Sequence, residues 1–295
     1  MNLNEPAASQ FAVYGPTFLD VVMGPLDGPP VPGREAWVEG ALMCAGGAAN
    51  QAIALARLGA PVRLHSRVGV DQMGVFVDEM LAREGVDTSS CERVGDQNVT
   101  VSLSFDGDRA MTTRGTTALP RLGGEAPACL LADVRGISAN SEVVSAWRER
   151  GTWVLADTAW DEAGAWDKAD LEALRLADVC TPNEEEALAY ARTESVEDAA
   201  RWFASFGCDC VVTCGKNGAV ACVDGQILHV PAPAVRAVDT TGAGDVFSAA
   251  LAWARRARRM PWPEALALAC AAAAHSTQGI GGSSSAPYVA DLPGA

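Results

Sequence analysis

Short apolar runs of strand length recur along this chain, and their alternation with helical segments constrains its fold more than any other feature. They are FAVYG from Phe11, ACLLADV from Ala128, TWVLAD from Thr152 and CDCVVTC from Cys208, while VRLHSRVG from Val62 reads as a further strand. Runs that are apolar at consecutive positions suit strands covered on both faces. Between the first of them lie AANQAIALARLG and GVFVDEMLAREG, with helical spacing and closing glycines at Gly59 and Gly85. Strand, helix, strand, helix predicts a doubly wound α/β domain around a mostly parallel sheet.

Two segments break this rhythm. EAWVEGALMCAGG follows a Gly- and Pro-rich stretch ending near Arg34 and reads as a strand of mixed polarity running into a glycine turn. NVTVSLSF, a DGD turn and RAMTTRG read as a hairpin with one wet face. The expectation is one α/β domain over 1–295, with small antiparallel strands inserted at about 17–43 and 98–116 as a lid or a structural flap. A hydrophobic outer face on that lid would favour a homodimer formed through it.

A length of 295 residues, 49% hydrophobic and 20% charged, fits a folded, soluble chain. Lys and Arg number 22 against 37 Asp and Glu, and the net charge of -15 makes nucleic acid and anionic membrane poor partners. The nine cysteines form no CxxC pair, and no His cluster accompanies them. They read as reduced thiols of a cytoplasmic protein. Cys208, Cys210 and Cys214 come nearest to metal spacing but belong to an apolar strand. MNLNEPAASQ lacks the basic start and apolar run of a secretory signal, and ALALACAAAAH from Ala265 is too short to span a bilayer.

The stretch DTTGAGDVFSAALAWARRARR, Asp239 to Arg259, starts a strong helix on two glycines and an acid. Each glycine inside a helix costs about 1 kcal/mol relative to alanine. Bare backbone there implies close approach to something. First-turn amides lack internal acceptors and lie at the positive end of the helix dipole, so Gly242, Ala243 and Gly244 suit an anion such as phosphate. Asp245 beside a bound phosphate makes sense as the proton acceptor for an attacking hydroxyl. The same letters also suit a plain helix start, with Thr241 as N-cap and Asp245 as a favourable first-turn acid.

DTTGAGDVF, leading into an alanine-rich helix near the end of the chain, resembles the signature of the ribokinase, or PfkB, family of carbohydrate kinases. AGGAANQAIALARLG followed by RVGVDQMGVFVDEMLAREGVDTS, Ala45 to Ser89, is similar to that family's N-terminal signature. The resemblance implies a ribokinase-like three-layer α/β/α sandwich with an antiparallel β lid. It also implies an ATP-dependent kinase acting on a hydroxyl of a sugar or sugar derivative.

Carried over motif by motif, the resemblance gives Asn183 and Glu186 of TPNEEEA the task of arranging water and magnesium at the nucleotide phosphates. Asn183 would equally serve as a helix cap. VVTCGKNGAV is similar to the family's nucleotide-contacting turn and implicates Thr213, Gly215 and Gly218, although a plain hairpin explains the same letters. Asp20, Gly46, Gly47 and Asn50 fall where relatives meet sugar hydroxyls. Carboxylate, amide and bare backbone suit a polyol. Arg114, after the second lid strand, would meet an acidic group on the acceptor or stand as a solvated charge. Asp239, the carbonyl of Thr241 and Ser285 fall where many relatives hold potassium.

Two departures stand out. Fructokinase-like relatives carry Asp-x-Asn-x-Arg after a central strand, where this chain has Asp157, Ala159 and Asp161, which argues against fructokinase. Cys270 replaces an Asn that ribokinases often place near adenine, which implies altered base contacts. A nucleoside kinase of the same fold and a non-catalytic sugar sensor are the alternatives, though a sensor would be expected to have lost the acid or the anion turn. A dinucleotide oxidoreductase needs a glycine fingerprint after its first strand, and VYGPTFLD offers only Gly15.

Overall fold

The computed structural model describes residues 11–105, 108–158, 161, 163–292 and 294; the opening MNLNEPAASQ, the tip of the DGD turn and Ala159 lie outside them. In chain order the strands are β1 (Phe11–Tyr14), β2 (Thr17–Leu26), β3 (Gly40–Gly47), β4 (Val62–His65), β5 (Arg67–Val68), β6 (Glu92–Arg93), β7 (Asn98–Phe105), β8 (Asp108–Arg114), β9 (Cys129–Asp133), β10 (Trp153–Asp157), β11 (Val179–Cys180), β12 (Asp209–Thr213), β13 (Ala219–Val223) and β14 (Gln226–Val230). The α-helices are α1 (Ala48–Arg57), α2 (Gln72–Arg83), α3 (Val134–Ala139), α4 (Ser141–Glu149), α5 (Glu184–Ala191), α6 (Val196–Ala204), α7 (Ala243–Arg256) and α8 (Trp262–Ser276).

The main sheet has the order β14-β13-β12-β11-β10-β9-β1-β4, parallel from β4 through β12, with β13 and β14 antiparallel at one edge. Alternation along each strand sorts its side chains into two cores. Phe11, Val13, Cys129, Leu131, Leu155 and Val211 pack under α1, α2, α7 and α8. Ala12, Leu130, Ala132, Val154, Ala156 and Val212 pack under α3 to α6. That is why the centres of these strands are apolar at consecutive positions: both faces of the sheet are covered.

The lid is a four-stranded sheet of order β3-β2-β7-β8. Its β2–β3 and β7–β8 pairs are antiparallel, while β2 and β7 run parallel because they come from separate excursions out of the main sheet. The first excursion returns at Gly47, a few residues beyond the expected boundary. VRLHSRVG, expected as one strand, breaks at Ser66, whose buried hydroxyl donates to the Gly15 carbonyl at 2.6 Å. Beyond the break, Arg67 and Val68 pair with Glu92 and Arg93 instead. No helix among the described residues is long and apolar enough to cross a membrane.

Candidate active site

Helix α7 begins without any side-chain cap. Its N-cap is Gly242, in the left-handed conformation at φ 69° and ψ 4°. Thr241, expected as a candidate cap, does not fill that position: its amide and hydroxyl donate to Oδ1 of Asp239 at 2.9 and 2.7 Å. Any L side chain at Gly242 would be strained by φ, and its Cβ would lie 2.8 Å from the Cα of Gly282. Gly244 is different, since a Cβ there would meet nothing within 4 Å. The amide of Ala243 makes a long bond to the Thr240 carbonyl at 3.3 Å, whereas those of Gly242 and Gly244 have no acceptor among the described residues. The helix thus starts on uncapped amides at its positive end, with open space beside Gly244.

Asp245, in the first turn of α7, takes hydrogen bonds from Nδ2 of Asn50 at 3.0 Å and Nε2 of Gln51 at 3.2 Å. Burial pushes its carboxyl up to about 6, and these two bonds oppose the shift. Asn50 also accepts from the Ser283 amide at 2.9 Å, so its side chain joins α1, α7 and the turn Gly282–Ser285. Gly47 is the N-cap of α1. A side chain on Gly46 would overlap the carboxylate of Asp20 on β2. Asp20 is raised to about 6, by burial first and also by the negative charge of Asp245, against a hydrogen bond with Thr100.

A cavity of about 560 Å³ runs from Thr213 and the Gly215–Asn217 turn to the start of α7. Gly218, Cys270, Ala273, Ala274, Phe247 and the segment around Pro233 complete its largely apolar wall. The turn does join β12 to β13 as a hairpin, and the same residues line this cavity. Asn183 caps α5, accepting from the Glu186 amide at 2.9 Å, and bridges to Thr213. Oε2 of Glu186 accepts from the Asn183 amide at 3.1 Å and from the Thr158 hydroxyl at 2.7 Å. Asp157, at the end of β10, is raised to about 8, chiefly by burial and then by the charges of Glu186 and Asp245. These acids gather at the carboxyl ends of the parallel strands, where open α/β sheets bind ligands.

Asp239 completes a link between two loops. Its Oδ2 accepts from the Gly281 amide at 2.8 Å, and the hydroxyl of Ser285 reaches the Ile280 carbonyl at 3.4 Å. Arg114 lies elsewhere than the acceptor reading requires. The register sets it in one row with Leu19 and Val99, while Asp20 and Thr100 lie in the next row and so on the opposite face. There Arg114 is 66% exposed and paired with Asp96 at 2.6 Å. A strand-end position is visible in sequence; the face it presents depends on register, which is not.

Sequence reasoning passed over Gln51, Thr100, Thr158 and the Pro- and Ala-rich segment before Asp239. Gln51 carried a signal, as a second polar residue beside Asn50 at the start of an otherwise apolar helix. The family profile described as pfkB family carbohydrate kinase matches residues 39–120 and 122–288. The chain belongs to the pfkB family of carbohydrate kinases. It is thus a phosphotransferase with an alcohol acceptor. It is 35% identical over 280 residues to a fructokinase of Klebsiella pneumoniae, covering 85% of this chain and 91% of that one. A ribokinase of Haemophilus influenzae is 30% identical over 264 residues, covering 82% and 83%. The structure of Arabidopsis thaliana ribokinase complexed with ribose and ATP matches with a TM-score of 0.80 at 25% identity, covering 96% of each chain. The pfkB scaffold accounts for the three layers and the lid.

Proposed function

We propose that this pfkB kinase moves the terminal phosphoryl group of ATP to a hydroxyl, most simply the primary alcohol, of an uncharged sugar. The observation that carries the reading is Asp245 held by Asn50 and Gln51 at the uncapped start of α7, where the apolar cavity ends. The cavity takes the nucleotide, with Thr213, Gly215, Gly218 and Cys270 along its wall and Asn183 behind Thr213. The amides of Gly242 and Gly244, with Ala243 between them, hold negative charge on the group in transfer. Asp245 accepts the proton of the attacking hydroxyl. Asp20, Gly46 and Gly47 face the acceptor from the lid side, and closure of the lid excludes water.

Magnesium fits the donors present. Glu186 uses one carboxylate oxygen for Thr158 and Asn183, leaving the other for a bound water. When bound, the ion neutralises phosphate charge. Potassium is supported by the joining of the Asp239–Thr241 and Ile280–Ser285 loops, whose carbonyls, carboxylate and hydroxyl are hard oxygen donors. A lid-paired dimer is supported by the outer lid face, where Met43 is 51% and Val101 37% exposed beside Val21.

The outward Arg114 removes the cation that the sequence suggested for a charged acceptor and favours a neutral polyol. Fructokinases and ribokinases both stand among the relatives, so the acceptor is set by experiment. ADP release is measured over ketoses, pentoses, sugar acids, sugar phosphates and nucleosides, with and without potassium. The reading expects turnover on a free sugar; turnover on nucleosides alone, or on none of the panel, overturns it.

A further inference from the structure

Arg57 closes the last turn of α1, far in sequence from the anion turn at Gly242–Gly244, yet its guanidinium joins two separate segments to that helix. Nε and Nη2 donate to the two carboxylate oxygens of Glu84, the C-cap of α2, at 2.8 and 2.7 Å. Nη1 donates to the carbonyls of Ser284 at 3.1 Å and Ala286 at 2.7 Å. The side chain is 11% exposed and lies over the Tyr288 ring, 5.0 Å from its centroid. A planar fork that satisfies a carboxylate and two carbonyls at once is a task arginine performs and lysine does not.

The clamped carbonyls directly follow the residues that support the base. Ser283 donates its amide to Oδ1 of Asn50 at 2.9 Å and its hydroxyl to the Ala45 carbonyl at 2.8 Å. Asn50 in turn donates to Asp245. Gly282 lies against Gly242 so closely that a Cβ on either glycine would meet the other residue or Asn50. A shift of this turn therefore moves both the hydrogen-bond donor to the base and the backbone of the anion turn.

We propose that Arg57 is a positioning residue for phosphoryl transfer: by fixing the carbonyls of Ser284 and Ala286 it holds the 282–285 turn, and through Ser283 and Asn50 it sets the carboxylate of Asp245. The inference rests on Asp245 as the base, which the Asp245→Asn variant tests separately. If that variant turns over normally, both readings fall; if it is inactive, the outcomes below bear on Arg57 alone. Asp20 of the lid and Asp157 of β10 also face Asp245, so the pH readout is compared with the parent enzyme under the same conditions.

The test is a double-mutant cycle on the full chain with Arg57→Met and Asn50→Ala, reading kcat, both KM values and the acid limb of kcat against pH. Misplacement of a catalytic group remote from the mutation lowers kcat by roughly tenfold to a hundredfold, so Arg57→Met is expected in that range. Its KM for ATP should change less than about threefold. Its acid limb should move to higher pH, because a loosened Asn50 no longer favours the ionised base. In the Asn50→Ala background, Arg57→Met should cost little more. Additive losses, or an unchanged kcat and acid limb in folded Arg57→Met, would overturn the proposal. If Arg57→Met shows no cooperative melting, Glu84→Gln replaces it, keeping the shape and removing the charge. An acid limb that stays put in that variant overturns the proposal equally.

Discussion

Nδ2 of Asn50 lies 3.0 Å from Oδ2 of Asp245, a hydrogen bond between residues 195 positions apart. Because the oxygen of the same amide accepts from Ser283, one side chain ties together the first helix, the anion turn and the C-terminal loop. The position of the acid is thus a property of the whole sheet-and-helix assembly.

Asp245→Asn keeps the size of the side chain and removes its basicity. A positioned general base contributes about 10²- to 10⁴-fold, so kcat should fall by roughly a thousandfold while the ATP dissociation constant stays within a few-fold. Steady-state kinetics and calorimetric titration of ATP check this. Near-normal turnover would remove Asp245 from the reaction.

Burial lifts both Asp245 and Asp20 to about 6. A carboxyl raised in this way is protonated below its folded pKa, so the capacity to accept a proton is lost as pH falls through about 6. The plot of log kcat/KM against pH should bend downward there. Its limiting slope should be steeper than for a single ionisation if Asp20 must also be charged to hold sugar hydroxyls. Asp20→Asn should then relax the slope to that of one group while raising the acceptor KM. A flat profile down to about pH 5 would contradict both assignments.

The two glycines of the anion turn should respond in opposite ways. Gly242 has a positive φ and lies against Gly282, so Gly242→Ala is expected to destabilise the fold by about 1–2 kcal/mol or more. Gly244 has open space in the position of a Cβ, and Gly244→Ala should stabilise the helix by up to about 1 kcal/mol. That same methyl intrudes on the phosphate path, so kcat/KM for ATP should drop at least about tenfold. Thermal melting and kinetics on the pair separate the structural glycine from the functional one; equal behaviour would deny the anion reading.

Arg114 and Asp96 are both well over half exposed, and such pairs contribute about 0–1 kcal/mol. Arg114→Ala should leave kcat and both KM values within about twofold. A marked rise in acceptor KM would bring Arg114 back to the substrate.

What the sequence made legible follows from how each signal is stored. Strands such as FAVY and WVLAD are covered on both faces, so their position shows in local composition. Gly242, Gly244 and Asp245 are legible because glycine at a helix start costs enough to need a reason. Asn183 could be read two ways, and its side chain does cap α5 beside the cavity. Less local features were hidden. The two-residue β11 is too short for a periodicity, and the break at Ser66 depends on a hydroxyl finding the Gly15 carbonyl. The face of Arg114 depends on lid register, and Gln51 or Thr158 acquires meaning only when the distant carboxylate it serves is in place.

Asp157 gives a prediction on stability instead of rate. Burial, with repulsion from Glu186 and Asp245, raises its folded pKa from the ordinary 3.8 to about 8. In the unfolded chain the group ionises near its ordinary value, so between these two pH values the folded state holds a proton that the unfolded state has released. Its stabilising contribution is complete below the unfolded pKa, declines as pH rises and is gone above the folded pKa. Asp157→Asn carries a neutral group at every pH and escapes that decline. In the absence of nucleotide and magnesium, the variant and parent should melt at similar temperatures near about pH 4, and the variant should gain by several degrees as pH approaches about 9. A melting difference that stays constant over this range would show that burial and the neighbouring carboxylates do not raise the pKa of Asp157.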